Sequence, residues 1–113
     1  MKELNFNNKT FSLIENSENG KVNTETIFEY HQAGDLVTAE YYGGTIRYGK
    51  IIARLTGSQL DMLYQCITTD NELRAGKAIA EVSVNEHGKI ELRLNWEWLG
   101  DKKEQGVSQY LEN

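Results

Sequence analysis

The sequence predicts an all-β protein, an up-and-down antiparallel β-barrel of about eight strands formed by a single domain over residues 1–113. Glycine and asparagine residues divide the chain into segments of about 8 to 15 residues, the spacing of meandering antiparallel strands. Within these segments apolar and polar side chains alternate with a period of two, as in strands with one buried face. The dividing positions are Asn19-Gly20, Gly34-Asp35, Gly43-Gly44, Thr56-Gly57-Ser58, Asp70-Asn71, His87-Gly88 and Gly100-Asp101.

The first two segments each place apolar residues on one face. Segment one, Lys9–Ile14, sets Phe11 and Leu13 on the same side. Segment two, Val22–His31, carries a longer face of strand-forming residues, and only Ile27 interrupts the alternation. The residues of that longer face are Val22, Thr24, Thr26, Phe28 and Tyr30. Both segments are therefore predicted to be strands.

Segments three and four, Asp35–Tyr42 and Thr45–Thr56, form the clearest hairpin of the chain. Two adjacent glycines, Gly43 and Gly44, lie between them and tolerate the positive φ that a tight two-residue turn requires. A further glycine, Gly49, lies inside segment four. A glycine within a strand indicates a bulge, a sharp bend or a close approach by another group.

The middle of the chain admits two interpretations. Leu60, Leu63, Tyr64 and Ile67 have helical spacing, so a helix is one alternative. The same stretch also alternates through Leu60, Met62, Tyr64 and Cys66, and it ends in β-branched residues that lose rotamer freedom in helices. Segment six, Leu73–Val84, shows the same ambiguity because its first half is rich in alanine. We favour strands for both.

The last two segments complete the predicted sheet. Segment seven alternates without exception, with Ile90, Leu92, Leu94, Trp96 and Trp98 on one face. Segment eight, Glu104–Leu111, has a weaker pattern in which Val107 and Leu111 share a phase. If segment eight pairs with segment one, the sheet closes and leaves no unpaired edge.

Charge and composition argue against several classes of function. The net charge of −5 disfavours binding to nucleic acid, whose phosphates it would repel. The chain has no apolar run of signal-peptide or membrane-spanning length, so we expect no membrane partner and a cytoplasmic location. Cys66 is the only cysteine, which excludes an intramolecular disulfide and suits a reducing compartment.

A resemblance to a known family rests on four stretches: NSENGKV, TIFEYHQAGDLVTAEYYGGTIRYGKIIA, LDMLYQ and NWEW. Together they resemble a family of small bacterial proteins with an avidin-like or lipocalin-like up-and-down barrel. Members of that family often carry the name N-acetylglutamate synthase. The resemblance implies the barrel fold, and the name implies an acyltransferase.

The acyltransferase name can be tested on the sequence. Acetyltransferases of the usual kind bind the pyrophosphate of acetyl-CoA on a loop of the form [QR]-x-x-G-x-[GA] at a helix N-terminus. The nearest match is the stretch Leu73–Ala78, which has leucine where glutamine or arginine is required. The sequence therefore gives the enzyme name little support, and we predict no catalytic residue, cofactor or metal ion.

The aromatic residues are the best candidates for a ligand site. Tyr30, Tyr41, Tyr64, Trp96 and Trp98 share the apolar phase of their segments and should converge on one interior. Buried phenol and indole groups need hydrogen-bond partners, and an aromatic cavity with a few polar tips is typical of small-ligand pockets. Simple filling of a core is the alternative interpretation.

If that cavity exists, Gln65, Glu40 and Arg47 are the candidate polar contacts at its entrance, although the outward phase of Glu40 and Arg47 points more simply to a solvated face. His31 and His87 lie at a predicted strand end and a predicted turn, without the convergent partners that a metal or catalytic site needs.

Three hypotheses for function remain after these exclusions. The first is a small-molecule-binding barrel, and the second is the enzyme that the family name implies. The third is a homo-oligomer that associates through its outer face, where Ile27, Ile46, Tyr48 and Ile52 are the exposed apolar candidates.

Overall fold

Eight strands form where the sequence alternates. The computed structural model describes residues 4–16, 24–100 and 104–113. The strands are β1 Lys9–Asn16, β2 Ile27–Ala33, β3 Leu36–Gly43, β4 Ile46–Thr56, β5 Gln59–Thr68, β6 Leu73–Val84, β7 Ile90–Leu99 and β8 Gln105–Glu112. The described residues contain no helix, and hence none long and apolar enough to cross a membrane.

The strands close into an up-and-down antiparallel barrel, which confirms the predicted fold class. Each strand pairs with its neighbours in sequence, and β8 pairs with β1. Closure leaves none of the eight described strands with a free hydrogen-bonding edge, the feature that exposes open sheets to aggregation.

The helical alternative for the middle of the chain is wrong. β5 and β6 are paired along their length, with Met62 opposite Ala78 and Tyr64 opposite Gly76. Met62 is 3% exposed whereas its neighbour Leu63 is 61% exposed, which is the alternation of a strand. Pairing on both sides outweighs the helical preference of the alanines, because sheet partners supply contacts that local propensity does not include.

Two local predictions need correction. Strand β2 begins at Ile27, five residues later than predicted, and Thr24 is exposed. Thr26 is buried because its hydroxyl donates a hydrogen bond to the carbonyl oxygen of Gly43, 2.9 Å away. Val22, the turn at Asn19-Gly20 and the residue after Gly100 lie outside the described residues.

The second correction concerns β8. Ser108 and Tyr110 are the residues that point inward, while Val107 is exposed and Leu111 is half-buried. Tyr110 lies opposite both Leu92 and Leu13, whose side chains are buried, and this pairing fixes its direction. The prediction that Val107 and Leu111 mark the inward face of this strand was therefore wrong.

The β3–β4 turn follows the prediction. Gly43 and Gly44 have φ of 106° and 62°, values that side chains other than glycine rarely adopt. The register shifts just after the turn, between Ile46 and Tyr48, so that Arg47 and Tyr48 are both exposed. This β-bulge turns Ile46 into the core.

The two ends of the barrel differ. We call the end with the turns after β2, β4 and β6 the lower end, and the end with the connections after β3, β5 and β7 the upper end. The segment before β1 covers the lower end, where Phe6 is fully buried and its backbone N–H donates to Oε1 of Gln32. The buried apolar side chains between the two ends pack into one cluster.

Candidate functional site

The interior aromatic side chains form three groups of contacting rings, which we name the lowest, middle and upper groups. Tyr30 belongs to the lowest group and packs with Phe6 and Phe11, at ring-centroid distances of 5.6 and 5.0 Å. It therefore fills the closed lower end. Burial raises the pKa of Tyr30 well above its usual range, so the phenol stays neutral.

The middle group contains Tyr41. Its ring stacks on Phe28 at 4.8 Å, and Phe28 meets Tyr110 edge-on at 4.9 Å. Burial raises the pKa of Tyr41 strongly, and the neighbouring Cys66 thiol adds to that rise. The Tyr41 hydroxyl donates to the backbone carbonyl oxygen of Gln65 at 3.3 Å.

The upper group contains Tyr64, Trp96 and Trp98. Tyr64 meets Trp98 edge-on at a centroid distance of 5.4 Å, and Trp96 lies 6.0 Å from Trp98. Tyr64 is only partly buried, while both tryptophans are buried. Of the five predicted rings, these three come together, while Tyr30 and Tyr41 lie in other groups.

Two glycines explain how large rings fit into the wall. Tyr41 pairs with Gly49 across β3 and β4, and Tyr64 pairs with Gly76 across β5 and β6. In each pair a Cβ added to the glycine would overlap the tyrosine ring. The space that these glycines leave is therefore filled by tyrosine, and of the three explanations offered for Gly49 the close approach is the one found.

The two tryptophans differ in their hydrogen bonding. Nε1 of Trp96 donates to the Ser108 hydroxyl at 2.8 Å, inside the barrel. Nε1 of Trp98 is buried and has no hydrogen-bond partner in the described structure. An unpaired buried donor costs about 1–3 kcal/mol, so this group needs an explanation.

Arg74 is a partly buried charged residue of the upper group that sequence reasoning missed. It lies on β6 in the same phase as Gly76, Ala78 and Ala80, and its guanidinium carbon is 4.6 Å from the centre of the Trp98 ring. This contact is a cation–π interaction, and the side chain is only 18% exposed. Its phase on β6 was the signal that could have identified it.

Two carboxylates hold Arg74 in place. Nη1 lies 3.3 Å from Oε1 of Glu72, and Nη2 lies 3.9 Å from Oε1 of Glu104. These partners come from the β5–β6 connection and from the residue before β8, so the arginine spans part of the upper end. Burial raises the pKa of Tyr64 while the charge of Arg74 opposes that rise, because the two groups are close.

The polar residues predicted for the entrance lie on the outer surface. The side chain of Gln65 is exposed, and only its backbone carbonyl meets the interior. Glu40 accepts a hydrogen bond from the Tyr48 hydroxyl, and Arg47 donates to Asn71. These side chains cannot contact a ligand held inside the barrel.

The outer wall carries a groove of about 900 Å³ that extends from Leu36 at the start of β3 across β4 to β8. Two rows of outward side chains border it, each running from strand to strand along paired residues. Its exposed apolar members are Leu36, Ile52, Leu63, Ile79 and Val107. Its charged members form two ion pairs, Arg54 with Asp61 at 3.7 Å and Lys77 with Glu97 at 3.1 Å.

The predicted outer apolar residues are only partly confirmed. Tyr48 and Ile52 are exposed, Ile27 is half-buried, and Ile46 is buried, so its prediction was wrong. The bulge in β4 is the physical reason for that error.

The described residues offer little for the enzymatic alternative. The stretch Leu73–Ala78 lies within strand β6 and does not precede a helix, so it cannot present the helix N-terminus that the pyrophosphate of acetyl-CoA requires. No group of three or more histidine, cysteine or acidic residues among them is placed to hold a metal ion.

Comparison with known proteins gives one match. A family model described as "Avidin-like protein" matches residues 4–113. Searches of curated proteins and of solved structures find no match.

Proposed function

The chain belongs to the avidin-like family, and from this premise we propose that it is a small-molecule-binding barrel whose ligand occupies the upper part of the interior. Members of this family typically bind small ligands such as biotin and form oligomers. The observation that carries the proposal is the group of Tyr64, Trp96 and Trp98 beside the inward-facing Arg74. Aromatic walls with a few polar groups suit a small organic ligand.

The other predicted residues have different parts in this proposal. Tyr30 and Tyr41 support the barrel from the lower and middle groups. Gln65 contributes through its backbone carbonyl, which orients Tyr41. The ligand contacts are thus assigned to the upper group alone.

Tryptophan fluorescence tests the proposal, because both tryptophans of the chain lie at the proposed site. The purified protein is titrated with biotin and with a fractionated small-molecule extract, and bound molecules are identified by native mass spectrometry. We expect a saturable change in emission that Trp98→Phe reduces. Leu73→Lys, at an 81% exposed position, serves as the control. Absence of any bound mass or emission change contradicts the proposal.

We also propose that copies of the chain associate through the outer groove. Its apolar side chains are exposed, and its two ion pairs leave it without net charge on a protein of net charge −5. Two copies can therefore meet there without the repulsion that other surfaces would cause. Large exposed apolar patches commonly mark association sites.

Light scattering tests the association. We expect a mass that rises with concentration in the wild type and stays at the monomer value in Ile52→Lys and Leu63→Lys. Leu73→Lys introduces the same charge at an exposed leucine outside the groove and should leave the mass unchanged. A wild-type protein that is monomeric at all concentrations contradicts this second proposal.

For the location we propose the cytoplasm. Cys66 is the single cysteine of the sequence and is buried, so the fold needs no disulfide, which suits a reducing compartment. Fractionation of the source cells tests this assignment.

A further inference from the structure

The Trp98 indole nitrogen is the starting point for an inference about the ligand. Trp98 is 7% exposed, and its Nε1–H finds no acceptor in the described structure. Trp96, two residues earlier on the same strand and equally buried, has an acceptor in Ser108. The difference shows that this interior can supply an acceptor to an indole and does not do so for Trp98.

The other polar groups beside Trp98 are already engaged. The Tyr64 hydroxyl donates to the backbone carbonyl oxygen of Glu97 at 3.2 Å. Arg74 is held by Glu72 and Glu104 and lies over the face of the Trp98 ring. Arg74 keeps N–H groups beyond the two that face its carboxylates, whereas Nε1–H of Trp98 is the buried donor in this group for which the described residues supply no acceptor.

The charges around this donor select the kind of acceptor. Two carboxylates accompany the single guanidinium of Arg74, and the whole protein carries a net charge of −5. An anionic ligand would have to compete with both carboxylates for Arg74, and it would be repelled by the surplus negative charge. A neutral acceptor meets neither difficulty.

We propose that the ligand is a neutral small molecule whose carbonyl-type oxygen accepts a hydrogen bond from Nε1–H of Trp98, with Arg74 as the side chain that covers the site. Glu72 and Glu104 hold this cover across the ring in the free protein. This inference rests on the proposed function, since it names the ligand class of the same interior site. Trp98 becomes the residue that determines specificity there, because it rejects molecules without an acceptor.

The indole N–H resonances of isotope-labelled protein test the inference directly. The chain has only two tryptophans, and Trp98→Phe assigns their two signals. The probes are γ-butyrolactam, which is neutral and carries a carbonyl, and cyclopentanecarboxylate, an anion of similar size. We expect the lactam to move the Trp98 signal downfield in a saturable way and to leave the Trp96 signal in place, while the carboxylate moves neither.

Variants give a second, independent measurement. Trp98→Phe keeps an aromatic ring and should weaken lactam binding by about fivefold to tenfold, the effect of one lost hydrogen bond. Arg74→Ala should speed exchange of the Trp98 indole hydrogen with solvent. Lys77→Ala is the matched control, because Lys77 lies on the same strand, pairs with Glu97 and faces outward.

Each contrary result has a definite meaning. Equal shifts from lactam and carboxylate overturn the neutral ligand class and leave the binding function standing. The lactam could also move other interior signals, leave the Trp98 signal in place and bind Trp98→Phe as well as the wild type. That result overturns the role of Trp98 and leaves the binding function standing. An indole N–H of Trp98 that stays hydrogen-bonded to a trapped water at every probe concentration also overturns the role of Trp98. If neither probe nor a small-molecule extract moves any interior signal, both the inference and the binding function fail.

Discussion

Two tyrosines, Tyr41 and Tyr64, fill the space that two strand glycines leave inside the barrel. Each ring lies across a glycine on the next strand, and each hydroxyl donates to a backbone carbonyl on the strand beyond. A ring over a glycine covers backbone that would otherwise lack side-chain contacts. At Gly49 and Gly76 even the methyl group of an alanine would therefore overlap the tyrosine ring.

Gly49→Ala should therefore destabilise the protein. The added Cβ would overlap the buried Tyr41 ring, and overpacking of this kind costs about 1–3 kcal/mol. Urea denaturation followed by tryptophan fluorescence measures the change. In a Tyr41→Ala background the same substitution should cost much less, because the ring that it meets is gone. An equal cost in both backgrounds would show that the ring is not the cause.

Among the strands, β5 best illustrates the competition between local and long-range preferences. Its sequence fits a helix as well as a strand, and only pairing with β4 and β6 separates the two. The two structures bury different residues: the strand buries Met62 and exposes Leu63, whereas the helical pattern would bury Leu63. This difference gives a direct test of the element.

Met62→Lys and Leu63→Lys should have opposite outcomes. Met62→Lys places an unpaired charge in the core and should cost about 4 kcal/mol or more, or prevent folding. Leu63→Lys replaces an exposed side chain and should change the free energy of unfolding by no more than about 0.5 kcal/mol. Thermal unfolding at low protein concentration measures both without interference from association. The reverse order would contradict the strand.

The barrel as a whole keeps four tyrosines neutral inside it. Burial raises the pKa of Tyr30, Tyr41, Tyr64 and Tyr110 above their usual range. Ser108 opposes the rise at Tyr110 through a hydrogen bond, without cancelling it. Tyr42 and Tyr48 are exposed, and hydrogen bonds to Glu29 and Glu40 raise their pKa values.

Alkaline pH should unfold the protein cooperatively. An unfolded tyrosine ionises near pH 10, whereas the four interior tyrosines resist ionisation while the barrel is intact. Their contribution to stability is complete below that pH and is lost as pH rises towards the raised values, by up to about 1.4 kcal/mol per pH unit for each group. Tyrosinate absorbance should show Tyr42 and Tyr48 ionising first and the other four only with loss of structure. Independent ionisation of all six in the folded state would contradict the burial.

The stagger of the strands is a property of the closed barrel. Following paired residues from Phe11 through Phe28, Tyr41, Gly49 and Cys66 leads to Arg74 at the start of β6. β7 then pairs along β6 from Ala75, opposite Leu99, to Val84, opposite Ile90. Strands in such a barrel are strongly tilted, so residues in one paired row lie at different heights. This tilt separates Tyr30 from Tyr64 and Trp98, although the three share a phase.

The sequence by itself determined the strands and most of their inward faces, because the period-two pattern and the glycine turns are local properties of the chain. Tyr30, Tyr41, Trp96 and Trp98 are all buried as predicted, and the Gly43-Gly44 turn has the expected backbone. The failures came where one residue shifts the phase, at the bulge after Ile46, or where the pattern is weak, as in β8.

Only the tertiary structure decided which inward side chains meet. The stagger places Arg74 over Trp98, brings Tyr64 to the same ring and leaves the Trp98 nitrogen without an acceptor. These contacts join residues from β5, β6 and β7 with Glu104 before β8, and their geometry depends on how the whole sheet closes. The geometry of closure depends on the twist and register of all eight strands, and no local stretch of sequence specifies them together.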